Sequence, residues 1–197
     1  EGASTEETGD TETAQTTDYS DVVINYGLTT AWDSLNPYGS SSGSTFQHLV
    51  LDKLYDRLAY ITEAADLMDL RAAEAWESDL DGLTATFHLD AVAMVSAGTP
   101  VTANDWVFTA YLITDPNFDF GMKSEFKFFE GTDDSGVRTG DTLGIEAVDD
   151  TTLVMHFKTP TPVEDWIMLH NKYFYVLPEH LLGDMDPAEV NASDIWD

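Results

Sequence analysis

Two stretches of the chain alternate apolar and polar residues and turn back on themselves at acidic turns, and these limit its possible folds more than any other feature. Residues 75–77 (AWE) run toward Asp81-Gly82, and residues 83–89 return with Leu83, Ala85, Phe87 and Leu89 on one face and Thr84, Thr86 and His88 on the other. Residues 143–148 run into Asp149-Asp150, and residues 153–157 follow. A period of two sets one row of side chains against a core, and Asp-Gly suits a tight hairpin turn. Hairpins pair antiparallel, whereas parallel neighbours need long crossovers. Helical patterns occur around these hairpins without strict strand–helix alternation, so the expected class is α+β rather than doubly wound α/β.

The helices carry their own punctuation. Phe46, Val50, Leu54 and Leu58, with Leu51 and Tyr55, recur at helical spacing behind Ser44 or Thr45 as N-cap. Thr102 and Asp105 stand as a capping box, with Val101 and Trp106 placed as a hydrophobic staple. The helix they open is expected to turn Val107, Phe108, Tyr111 and Leu112 inward and to end before Asp115-Pro116. Thr161-Pro162-Val163-Glu164 reads as a second box, opening a helix through Trp166, Ile167 and Leu169. Further strands are expected at residues 22–26 (VVINY), near Val92 and Met94, and at residues 173–177, and a helical turn at residues 178–182 is stopped by Gly183. Residues 117–142 read as a long loop holding Phe118, Phe120, Met122, Phe126, Phe128 and Phe129. Residues 1–18 contain no large apolar side chain and are expected to be a disordered acidic tether.

Charge narrows the partners. The 197 residues carry 37 Asp and Glu against 8 Lys and Arg, a formal charge of −29. Such a polyanion is repelled by phosphate backbones and anionic membrane surfaces, which argues against nucleic acid as a ligand. The acidity fits either a solubilising surface or adaptation to high salt, where screening tolerates it. No cysteine is present, so no disulfide, thiolate metal site or Cys nucleophile can form. No apolar run is long enough to span a membrane, and no secretory leader is recognisable, so a secreted protein would be met here in processed form.

Catalytic patterns are sparse. Gly39-Ser40-Ser41-Ser42-Gly43 matches G-x-S-x-G and nominates Ser41 as a hydrolase nucleophile, but Asn36-Pro37-Tyr38 before it is turn chemistry where a nucleophile elbow needs a strand. His48, His88, His156, His170 and His180 show no metal-binding spacing, and no cofactor is expected. Asp133-Asp134 and Asp149-Asp150 suit turns better than acid/base pairs. Trp76, Trp106 and Phe108 are expected in the core, while Trp32, Phe120 and Met122 lie in loops, where apolar side chains can line a cleft.

In order along the chain, Leu35-Asn36-Pro37, Leu54-Tyr55-Asp56-Arg57-Leu58, residues 70–78 (LRAAEAWES), Asp81-Gly82, Thr86-Phe87-His88-Leu89, residues 98–105 (GTPVTAND), Val107-Phe108-Thr109, residues 148–153 (VDDTTL) and residues 177–182 (LPEHLL) resemble the family 5 extracellular solute-binding proteins. These are the oligopeptide-, dipeptide- and nickel-binding components of ABC importers. Asp90 stands where the family usually has a basic residue, and Ala97-Gly98 where it has Asp-Gly.

The resemblance implies a periplasmic-binding-protein-like fold of the type II, peptide-binding class, with the chain as the front portion of a longer two-lobed protein. On that reading residues 19–44 open the first lobe, residues 45–160 form an inserted small α+β domain, and residues 161–197 return into the first lobe. It also implies ligand contacts from the loop Leu28, Thr29, Thr30, Ala31 and Trp32 and from Phe120 and Met122. The implied ligand is a short peptide, with a nickel chelate or a sugar as alternatives. The implied partner is an ABC permease, the implied location is extracytoplasmic (cell-surface lipoprotein or periplasmic), and any membrane attachment is through a lipid anchor outside the chain. A serine hydrolase using Ser41 and a plain surface interaction domain remain as readings from other classes.

Overall fold

The computed structural model describes residues 27, 34–39, 45–61, 68–95 and 98–196. The expected tether, the strand at residues 22–26, the loop at residues 28–32, Ser41 and the Ser44 cap lie outside the described residues.

The described elements run α1 (Thr45–Leu54), β1 (Ala59–Ile61), β2 (Met68–Leu70), β3 (Ala73–Ser78), β4 (Thr84–Leu89), α2 (Ala103–Thr114), β5 (Ile145–Asp149), β6 (Thr152–His156), α3 (Val163–Leu169), α4 (Glu179–Leu182) and α5 (Pro187–Val190). Strands β1 and β2 pair alone, and the other four form an antiparallel sheet in the order β3-β4-β6-β5. Both expected hairpins are there, joined at the centre by β4 and β6, with Ala85 opposite Met155 and Phe87 opposite Leu153. Gly82 takes φ of 70° in the first turn, a conformation costly for any residue with a Cβ. The period of two sorts the faces as expected: Ala85, Phe87, Leu89, Leu153, Met155 and Ile145 are buried, and His88 is exposed.

Helix α2 covers β5 and β6. Its capping residue performs two tasks. One Asp105 carboxylate oxygen accepts from the Thr102 backbone N–H at 2.8 Å, and the other accepts from the Glu179 N–H at 2.9 Å where α4 begins. The buried face is displaced from the expected one. Trp106, Thr109, Ala110 and Ile113 are fully buried, while Val107, Phe108 and Tyr111 are half-buried. Thr109 is admitted to that face because its hydroxyl donates to the Asp105 carbonyl at 2.7 Å and accepts from the Leu177 N–H at 2.8 Å.

Aromatic rings fill the core. The Trp166 ring lies 6.0 Å from Phe87, 6.3 Å from Phe129 and 6.2 Å from Phe174, and Phe174 in turn lies 5.1 Å from Trp106. Phe118, Phe126 and Phe129 of the long loop are buried with them. That loop folds tightly through a 3₁₀ turn at Lys123–Phe126. At Gly136 (φ 79°) an added Cβ would fall 1.7 Å from the Lys123 carbonyl oxygen, so only glycine fits that close approach.

Several local expectations give way to tertiary partners. Helix α1 ends at Leu54, which is 57% exposed, so Leu51 packs inward and Leu58 reaches the core from beyond the helix. Met94 makes only an isolated bridge to Pro100. Thr161 does not cap α3. Pro162 is the N-cap residue, and the Glu164 carboxylate accepts from the Trp76 indole N–H at 3.3 Å instead. Trp76 sits on an edge strand and is half-buried rather than in the core. Residues 174–178 form no strand among the described residues. Their backbone donors go elsewhere, Tyr175 N–H to the Tyr38 hydroxyl at 2.8 Å and Leu177 N–H to Thr109.

Asp105→Ala strands two helix-start donors at once, and we expect a loss of about 1–3 kcal/mol in urea unfolding with an unchanged m-value. Asp105→Asn retains an acceptor oxygen and should recover a measurable part of that loss.

Candidate functional site

The turn at residues 34–39 is fixed from several directions. Asn36 is buried, and its side-chain oxygen accepts from the Tyr38 N–H at 2.9 Å. Its side-chain amide donates to the Asn191 oxygen at 2.8 Å, and Asn191 donates onward to the Asp119 carbonyl. The fully buried Tyr38 hydroxyl donates to the Tyr175 carbonyl at 2.6 Å and accepts from the Tyr175 N–H. Phe120 meets the Tyr38 ring edge-on at 5.0 Å, and Phe118 does so at 6.3 Å.

Of the two segments nominated from sequence, only the one holding Phe120 and Met122 lies among the described residues. Phe120 packs on the turn two residues beyond the Trp32-containing segment, although residues 28–32 themselves lie outside the described residues. Phe120 is 5% exposed, and its described contacts are the rings of Tyr38 and Phe126. Met122 is half-buried at the head of the 3₁₀ turn.

Behind Tyr38 lies a polar cluster that sequence reasoning missed. Arg57, only 8% exposed, donates to the Asp52 carboxylate and, at 3.1 Å, to the Tyr175 hydroxyl. The Tyr175 hydroxyl donates to the same Asp52 oxygen at 2.7 Å. Its one proton is thereby committed, so His48 Nδ1, 2.8 Å away, is the donor in their hydrogen bond. The guanidinium stacks 4.5 Å from the Tyr60 ring and 4.8 Å from the Tyr175 ring. Arg57 lies in the Leu54–Leu58 stretch that carries the family resemblance, but no motif joins it to Asp52, His48 and Tyr175. Tyr175 is 118 positions from Arg57, and only the fold brings them together.

The electrostatics follow from burial. Loss of water pushes the Tyr60 phenol up to about 12 and raises Tyr175 and Tyr38 well above the ordinary tyrosine value, Arg57 opposing in each case. Burial works against the charged Arg57, but Tyr175 and Asp52 outweigh it and raise its pKa. At neutral pH these phenols are neutral hydrogen-bond donors and poor proton acceptors. The cluster borders an open groove of about 660 Å³, lined by Asp52, Tyr55 and Arg71 together with Leu54, Met94 and Leu181.

Groups associated with catalysis are placed as follows. Among the described residues, no three His, Cys, Asp or Glu side chains are grouped to hold a metal. His88 and His156 each face a glutamate across the sheet, Glu77 and Glu146, at 3.3 Å. Asp133 and Asp149 accept from backbone N–H groups two residues on, as turn residues do. Residues 36–39 ahead of Ser41 form a turn and not a strand.

The profile of the family described as "Bacterial extracellular solute-binding proteins, family 5 Middle" matches residues 69–196. The chain is similar to the periplasmic oligopeptide-binding protein OppA of Haemophilus influenzae, 39% identical over 95 residues, which is 46% of this chain and 18% of that protein. Among solved structures it resembles H. influenzae OppA in complex with RPPGFSPFR, with 28% identity and a TM-score of 0.67 over 80% of this chain and 31% of that one. It also shares its fold with the Bacillus subtilis oligopeptide-binding protein AppA, solved with a nonapeptide, at 17% identity and a TM-score of 0.68 over 83% of this chain and 29% of that one. The chain thus spans less than a third of the length of each of these proteins.

Removing Asp52 strands the Arg57 charge. We expect Asp52→Ala to cost about 2 kcal/mol in urea unfolding, below the ~3–5 kcal/mol of a fully buried pair because Asp52 stays partly wet. Adding Arg57→Met should restore part of that loss. Strict additivity of the two changes would show that the pair is not coupled.

Proposed function

The chain belongs to the bacterial extracellular solute-binding proteins of family 5, and from that membership we propose that it is part of an extracytoplasmic receptor that captures short peptides and presents them to an ABC permease. The observation that carries the ligand class is the likeness, over 80% of the chain, to an oligopeptide-binding protein solved with a peptide. Capture is by sequestration. Two lobes close on the ligand, and the ligand shifts the equilibrium toward the closed state because it binds that state better. No bond of the ligand is made or broken.

The contacts we assign to this chain are the backbone of Leu28, Thr29, Thr30, Ala31 and Trp32 and the side chains of Phe120 and Met122, Phe120 also packing on the turn at residues 34–39. Backbone pairing of an extended peptide in the manner of an added strand tolerates varied side chains. The division into a first-lobe opening at residues 19–44, an inserted domain at residues 45–160 and a return at residues 161–197 belongs to the same reading. So does attachment to the membrane through a lipid anchor. The packing of Phe120 on Tyr38 supports the placement of the loop, because it joins the long loop to the turn that follows residues 28–32.

Native mass spectrometry of the protein, before and after denaturation and after exposure to a mixed peptide library, tests the reading. Released masses in the range of short peptides are the expected result. Retention of a nickel chelate or a sugar with no peptide would keep the family and replace the ligand. Ser41→Ala should leave peptide retention unchanged. An esterase activity that disappears with Ser41 would instead make the protein a hydrolase.

A further inference from the structure

We propose that the folded state of this chain depends on high ionic strength, its acidic surface being held together by screening rather than by ion pairing. The proposal stands apart from peptide capture and does not rest on it. The formal charge of −29 on 197 residues is not spread evenly against its counter-charges. No Lys or Arg occurs before Lys53, between Arg71 and Lys123, or after Lys172. Strands β3, β4, β5 and β6 contain none, so the sheet presents Glu77 and Glu146 with only His88 and His156 facing them. The segment after Lys172 carries Glu179, Asp184, Asp186, Glu189 and Asp194, all exposed, with no Lys or Arg of its own.

The few cations are largely engaged in other tasks. Arg57 pairs with Asp52 and Arg138 with Asp115, both pairs partly buried. Lys123 and Lys158 donate to the backbone carbonyls of Asp115 and Thr132, and Lys172 sits 4.8 Å from the Tyr173 ring. The carboxylates in turns, such as Asp133 and Asp149, are satisfied by N–H and hydroxyl donors, which disperse their charge without cancelling it. What remains is a shell of like charges whose mutual repulsion favours expansion of the chain.

Salt acts on that term directly. The Debye length is about 10 Å at 0.1 M and about 3 Å at 1 M, so repulsion between surface carboxylates is largely removed over that interval. The two mixed Arg–Asp pairs are partly buried and are screened less. Net stability therefore rises with salt.

The test is urea unfolding of the chain at NaCl concentrations from low to molar, beside a variant carrying Asp134→Lys, Asp141→Lys, Asp184→Lys and Glu189→Lys. These four side chains are exposed, and none makes a side-chain hydrogen bond among the described residues. For the parent, the folding equilibrium constant should rise by about tenfold or more across the range as the repulsion is screened. The variant should be more stable than the parent at low salt and respond less to added salt. A parent whose midpoint does not move with NaCl would overturn the proposal. So would a variant as salt-sensitive as the parent, because the effect would then be a general one of salt on apolar burial and not one of charge.

Discussion

The Trp166 ring is the point through which the separate parts of the structure hold one another in place. Phe87 comes to it from the centre of the sheet, Phe129 from the long loop, Phe157 from the end of β6 and Phe174 from the segment after α3. Each ring is a large apolar surface, and edge-on or tilted arrangements add to the area term. These contacts close long stretches of chain, so the burial must offset the entropy of ordering everything between them. Once Phe174 is held between Trp166 and Trp106, Tyr175 beside it has a fixed position, and through its peptide group so has the Tyr38 hydroxyl. The turn at residues 34–39 therefore takes its place from the core, and not from its own sequence.

The Arg57 cluster extends that chain of dependence from rings to polar groups. A buried guanidinium is costly unless its charge is matched and its donors are used. Here Asp52 supplies the charge, Tyr175 supplies an acceptor, and two rings supply their faces. The Tyr175 hydroxyl serves both partners, accepting from Arg57 and donating to Asp52. In a chain so short of cations, an interior arginine with a matched carboxylate stands out against an exterior of unmatched ones.

Local rules succeeded where the interaction they describe is itself local. The two hairpins and the Thr102–Asp105 helix start were legible because turn geometry, strand period and the N3 carboxylate all act within a few residues. They failed where a distant partner outbid the local one. Glu164 is drawn from the expected box to the Trp76 indole, 88 positions away, and the donors of residues 175 and 177 go to Tyr38 and Thr109 instead of to a neighbouring strand. Residues 117–142 read as a loop, and that loop is itself part of the core. A phenylalanine there faces inward for the same reason that Phe118, Phe126 and Phe129 do. Arg57, Asp52, His48 and Tyr175 had no shared pattern to read, because their association depends on a contact of 118 positions or more for three of their links.

The motifs that mark the family have, in this structure, scaffold roles. Gly82 makes a turn, Phe87 and Leu153 meet across the sheet, Asp105 starts two helices, and Asn36 locks a turn against α5. Each is demanded by backbone geometry or packing, and none by the chemistry of a ligand. A family that keeps such residues can change what it binds without disturbing them, because specificity resides in groups mounted on the scaffold. This accounts for a sequence that declares its fold clearly while its most individual feature, the acidic exterior, belongs to none of the shared motifs.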